Sequence, residues 1–269
     1  MTYRASGKLA RGAIGTALVG AAVMAFSPSQ SAPKPQEYSE TIPGTVVTFE
    51  MVQVPGGTVT FDGKSIDVAP VYIGRTETTW DMYDAFALDV PRAGGSADAV
   101  ARPSQPYGAP DYGWGHAGFP AISVTRAAAE AYCAWLSQKT GKKYRLPTEP
   151  EWMHAAALAS GADALNPRRR TAIAWHRENA NGRTHAVATK AGDAIGLRDF
   201  FGNAAEWVTT ADGALVLRGG SYRDAAEAVG PASRAVQDDS WNVRDPQLPK
   251  SRWWLSDAPF AGFRVVSEN

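Results

Sequence analysis

After about Ser160 the chain loses regular periodicity, and from there to its end Gly, Trp, Asn, Asp and Arg crowd together without a sustained helical or strand pattern. Irregular segments of that extent inside one domain are binding loops, or loops held by bound ions or by side-chain-to-backbone hydrogen bonds. Regular elements are legible instead before that point.

The first half supplies them. Val46-Val47-Thr48-Phe49 opens a β-branched run, and Met51 to Val54, Pro55-Gly56-Gly57 and Thr58 to Phe61 read as strand, turn, strand. A third strand is expected at Val68 to Ile73. One helix starts near Thr78 or Thr79, whose hydroxyls can cap exposed N–H groups, and runs through Trp80, Tyr83 and Phe86. A second starts at Thr125, carries Ala129, Tyr132, Cys133 and Leu136 along one stripe, and stops at Gly141. A third is announced by Thr148-Glu149-Pro150-Glu151, with Thr148 as N-cap and Glu151 reaching back in a capping box. Cys133 falls on the buried stripe, so it reads as a packed thiol rather than a nucleophile.

At 269 residues, 44% hydrophobic and 20% charged, the chain has an ordinary globular balance with one large domain. Arg4, Lys8 and Arg11 precede the apolar run Ala13 to Phe26, and Ser29-Gln30-Ser31-Ala32 offers small residues for cleavage, so residues 1–32 read as a signal peptide. That run is short of the roughly 20 residues a membrane span needs; a span arises only if the leader stays uncleaved as an anchor. Pro33, Pro35, Gln36, Ser39 and Pro43 mark 33–45 as a flexible linker, and 46–269 as the domain. The expected location is outside the cytoplasm, periplasmic or extracellular.

Of 27 basic residues the leader takes three, leaving 24 against 27 acidic ones, which gives no electrostatic basis for nucleic-acid binding. With Cys133 alone, no internal disulfide forms.

Several motifs follow one another in order: Met51-Val52-Gln53-Val54-Pro55-Gly56-Gly57; Glu77-Thr78-Thr79; Phe119-Pro120-Ala121-Ile122-Ser123-Val124; Ala131-Tyr132-Cys133-Ala134-Trp135-Leu136; Arg145-Leu146-Pro147-Thr148-Glu149-Pro150-Glu151-Trp152; Gly196-Leu197-Arg198-Asp199 through Gly202-Asn203-Ala204-Ala205-Glu206-Trp207; Arg218-Gly219-Gly220-Ser221-Tyr222; and Gly262-Phe263-Arg264. Together they resemble the sulfatase-modifying-factor, or formylglycine-generating-enzyme, family over roughly 51–266. The resemblance implies an α+β, elaborated C-type-lectin-like fold, poor in regular structure and formed by a single domain. Most of these motifs hold such a fold together; Arg145 and Glu149, for instance, read as an internal pair.

The resemblance also implies calcium, held by the side chains of Asp199 and Glu206 and the carbonyls of Gly202 and Ala204, a hard-oxygen set that suits this ion. A second calcium site would fall at Asn179 and Ala180, or one register later at Asn181, but the only acid after it and before Gly196 is Asp193. In the family's aerobic enzymes two cysteines after the Arg-Gly-Gly-Ser segment bind copper. Here those positions are Asp224 and Val229, neither of which supplies a thiolate. Copper-dependent formylglycine generation is therefore not expected. His116, His154, His176 and His185 show no metal-ligand spacing.

By the same resemblance, what remains in the expected cleft is Ser221, Tyr222, Arg223, Asp224 and Arg234, with Trp241, Trp253 and Trp254 nearby, a set able to grip a peptide or small-molecule ligand. The leading expectation is a calcium-stabilised binding protein. The alternatives are an oxidase-like enzyme resembling the siderophore-maturing branch of the family, with Tyr222 or Asp224 as acid/base groups, and formylglycine generation without thiols.

Overall fold

Three of the motif-bearing segments become helices; end residues cap the second and third, whereas the Thr78 hydroxyl, expected to cap the first, is buried without a partner. Helix α1 (Trp80–Asp89) buries Trp80, Met82, Tyr83 and Phe86. Helix α2 (Arg126–Thr140) starts where the Thr125 hydroxyl accepts from Ala128 N, and ends where Gly141, at φ 74°, donates back to Ser137 O. Helix α3 (Glu149–Ser160) carries the reciprocal capping box between Thr148 and Glu151. These positions come from a computed structural model that describes residues 1–2, 35–89, 98–100, 110–161 and 166–268. The leader expected at 1–32 lies almost wholly outside the described residues.

Five strands form the first sheet: β1 (Glu37–Thr41), β2 (Thr48–Val54), β5 (Val71–Gly74), β6 (Lys143–Arg145) and β11 (Val266–Glu268), in the order β1-β2-β5-β11-β6 and antiparallel throughout. β3 (Gly57–Phe61) and β4 (Lys64–Val68) make a separate hairpin. The second half adds a short helix, α4 (Pro167–Ile173), and a four-stranded sheet. That sheet runs β10 (Ala261–Gly262), β7 (Ala205–Val208), β8 (Val216–Gly219), β9 (Gly230–Val236), with β10 and β7 parallel and the other pairs antiparallel.

Three local expectations need correction. The segment read as a linker contains β1, whose residues pair with β2 from Glu37↔Val52 to Thr41↔Thr48; the ordered fold therefore starts before Val46. The strand expected across Val68 to Ile73 is two strands, because Pro70 has no N–H for a ladder and separates β4 from β5. Arg145 pairs with Glu151 and Glu268, at 2.7 Å each, instead of with Glu149. The capping box turns Glu151 back toward β6, while Glu149 faces inward to Arg234 at 2.7 Å.

Two clusters make the core. Trp80, Tyr83, Phe86, Tyr132, Trp254 and Phe263 interlock between α1, α2 and the C-terminal segment. Trp152, Phe200, Phe201, Ile73 and Val216 pack α3 between the two sheets. Each fully buried side chain of this size contributes about 2–3 kcal/mol of transfer free energy. Trp254, a candidate cleft residue, is buried core, whereas Trp253 stays half-buried beside Phe86. Cys133 is buried on α2, and burial pushes its thiol far above the ordinary range. It is a packed thiol.

Candidate functional site

The loop from Asp199 to Glu206 turns sharply because Asp199, Gly202 and Asn203 all take left-handed backbone angles, of 49°, 78° and 54°. Gly202 is required there: a Cβ would lie 2.2 Å from the Trp175 carbonyl oxygen. The turn sends Asp199 and Glu206 inward to meet Glu77 from the segment before α1 and Arg264 from the segment before β11. All four are 2% exposed or less.

Arg264 donates to Glu206 Oε1 through Nε at 2.7 Å, with Nη2 at 2.6 Å, and also to the carbonyls of Gly74, Arg75 and Arg198. Trp152 Nε1 donates to Glu206 Oε2 at 3.1 Å. Glu77 accepts from Ala204 N at 3.0 Å and from the Asn203 amide at 3.2 Å. Asp199 Oδ2 accepts from Ala188 N at 2.6 Å, while its Oδ1 is buried with no partner. Three carboxylates thus face one guanidinium. Burial first, then the neighbouring Asp199 charge, push Glu77 well up; burial also raises Glu206, and it carries Asp199 to about 6. A cation beside Asp199 would reverse this unfavourable balance.

The turn offers a cation such as calcium one unmatched buried oxygen, at its Asp199 end. Glu206 is already engaged, and would take part only through lone pairs that Arg264 and Trp152 leave over. Among the described residues no group of three or more His, Cys, Asp or Glu converges as metal ligands.

The second expected set does not fit. Asn179 spends its side-chain oxygen on His176 N at 2.8 Å and its amide nitrogen on Ala174 O at 3.0 Å. The Ala180 carbonyl accepts from His185 Nε2 at 2.8 Å, and that imidazole stacks on Trp175 with centroids 3.7 Å apart. Asp193 closes its own loop by accepting from Ile195 N and Leu197 N. An imidazole N–H caps the carbonyl a metal would need, and the later acid, Asp193, is spent on its own loop.

The cleft candidates separate into two places. Ser221 N and Oγ donate to Asp224 Oδ2 at 2.7 and 2.9 Å, and Tyr222 N donates to Asn203 O, so Ser221, Tyr222 and Asp224 form one tight turn beside the Asp199–Glu206 loop. Arg234 sits elsewhere, on β9, held by Glu149. Val229 is core, 1% exposed. Burial raises Tyr222 to about 12. Around it lie groups that motif reading did not single out: Trp114 meets Tyr222 edge-on at 5.3 Å and stacks on Tyr112 at 5.1 Å. Next to Tyr222 in sequence, the Arg223 guanidinium lies 4.5 Å from the centre of the Phe260 ring.

The model of the sulfatase-modifying factor enzyme 1-like domain matches residues 38–269. The chain belongs to this family. Its fold is shared with Treponema denticola variable protein 1 (TM-score 0.64, 20% identity, 88% of this chain and 100% of that one). It is shared too with PvdO from Pseudomonas aeruginosa (TM-score 0.58, 25% identity, 82% and 94%) and with CarF (TM-score 0.53, 21% identity, 81% and 98%). No curated protein matches the chain in sequence. Within this sulfatase-modifying-factor-like fold, the turn after β8 carries a Ser–Asp hydrogen bond and a core valine, with the sole cysteine built into α2. No helix among the described residues is long and apolar enough to cross a membrane.

Proposed function

We propose that this chain is an exported binding member of the sulfatase-modifying-factor family, stabilised by one calcium at the Asp199 turn and without formylglycine-generating activity. It takes a peptide or small-molecule ligand at the surface formed by Tyr112, Trp114 and Arg223 around the buried Tyr222. The observation that carries this reading is the chemistry of the turn after β8. Asp224 spends a carboxylate oxygen on Ser221, and Val229 fills core space, so the two positions that the resemblance assigns to thiols offer no soft ligand for copper. Tyr222, at about 12, is a poor general base near neutral pH, which supports binding over acid–base turnover. The half-buried Tyr112 and Trp114, beside an Arg that stacks on a ring, suit planar or peptide-like ligands.

The deciding experiment incubates the purified chain with copper, oxygen and a cysteine peptide carrying a sulfatase motif, followed by mass spectrometry. An unmodified cysteine is expected; conversion to formylglycine would overturn the reading.

A further inference from the structure

The segment from Asp111 to Phe119, which brings Trp114 against Tyr222, is fastened to α1 at three points. Trp80 N donates to Phe119 O at 2.9 Å, Gly118 N donates to Asp81 Oδ2 at 2.7 Å, and His116 Nε2 lies 2.8 Å from Asp84 Oδ2. The other nitrogen of that ring, Nδ1, lies 2.9 Å from Asp111 Oδ2, and the ring stacks on Trp80 at 5.2 Å with an interplanar angle of 13°. A carboxylate can only accept. Both contacts are hydrogen bonds only when each ring nitrogen carries a proton, that is, when His116 is an imidazolium. Neutral imidazole has one N–H and turns a lone pair toward the other carboxylate.

The groups facing the ring are accounted for on each side. From α1 they are Asp84 and, through Gly118 N–H, Asp81; from its own segment, Asp111. The chain at Val187 bonds Gly118 O at 2.8 Å and, among the described residues, brings no ion pair or hydrogen bond to the ring. Burial alone would lower the His116 pKa, but the bonds to Asp84 and Asp111 outweigh it and raise the group above 6.5.

We propose that His116 is a proton-dependent fastener, holding the Tyr112–Trp114 pair against Tyr222 in its protonated form and loosening it as pH rises. The consequence for ligand access rests on the Tyr222 surface being the binding site; the fastener itself does not. The raised pKa fixes the sign. The contribution is fully present below about 6.5 and is lost as pH climbs through the higher folded-state value, with a limiting slope of about tenfold per pH unit for one proton.

Hydrogen exchange of the intact chain between pH 6 and 9, corrected for intrinsic exchange rates, tests this on peptides covering 111–119. Protection there should fall with pH by up to about tenfold per unit above 6.5, while α2 stays unchanged, and His116→Gln or Asp84→Asn should abolish the dependence. A flat profile in the unaltered chain, or the same profile in His116→Gln, would overturn the proposal. NMR titration of the His116 ring gives an arm that needs no variant: a pKa below 6.5 also overturns it. A chain that binds no ligand yet shows the exchange pattern would sink the binding reading and leave the fastener standing.

Discussion

Asp193→Asn should gain stability relative to the parent as pH rises from 4 to 7. Asp193 accepts from Ile195 N and Leu197 N at 3.0 Å each through Oδ1, while Oδ2 is buried without a partner. Burial outweighs those bonds and pushes the carboxyl up to about 6, against an ordinary 3.8. Between those values the folded chain binds more protons than the unfolded one, so this group's contribution is fully present below about pH 3.8 and is lost as pH rises through about 6. At about 1.4 kcal/mol per pKa unit, the ionised group costs about 3 kcal/mol at pH 7. Asn keeps the accepting oxygen and removes the charge, but brings an amide nitrogen that needs a partner. The difference between variant and parent stability therefore carries a fixed offset. Only its change with pH reports the carboxylate. Urea unfolding followed by tryptophan fluorescence at pH 4, 5, 6 and 7 should show the variant gaining about 2.4 kcal/mol relative to the parent between the two ends. A difference that stays constant with pH would refute the argument, whatever its absolute value.

Arg264→Met should cost about 3–5 kcal/mol, because it leaves Glu206 buried without its ion-pair partner and removes a charge that also offsets Glu77 and Asp199. Adding Glu206→Gln should recover part of that loss in the same unfolding assay, and strictly additive losses would show that the two do not act through their ion pair. Chelation should lower Tm and elemental analysis should find one calcium per chain, not two. Ligand at a hundred times its Kd would add about 2.7 kcal/mol, and Asp199→Asn should lose the response. A Tm indifferent to chelator, with no bound calcium, would remove the metal from the proposed function.

What could be read from the residues was whatever a local pattern dictates. Thr125 with Gly141, and Thr148 with Glu151, mark α2 and α3 because caps act within one turn of chain. β1 escaped because its Glu-Tyr-Ser-Glu-Thr sequence is polar and half-exposed, and its strand character comes from pairing with β2. α4 had its signal in Asn166-Pro167, a cap followed by proline, inside a stretch otherwise without periodicity. The site shows the same division. Asp199, Gly202 and Glu206 lie within one loop and could be named together, whereas Glu77 and Arg264 join them only through the fold. The family resemblance grouped Arg234 with Asp224, but the ladder between β8 and β9 sets it opposite Arg218 and delivers it to Glu149.

β11 lies inside its sheet, between β5 and β6, although it is made from residues 266–268. During synthesis, therefore, the strand that joins the first-made part of the domain to β6 leaves the ribosome after nearly everything it connects. Until then β5 has an unfilled side, and Arg264, the counter-charge to three buried acids, is also missing. Losing residues 266–268 would therefore remove an inner stave of the sheet, not a fringe.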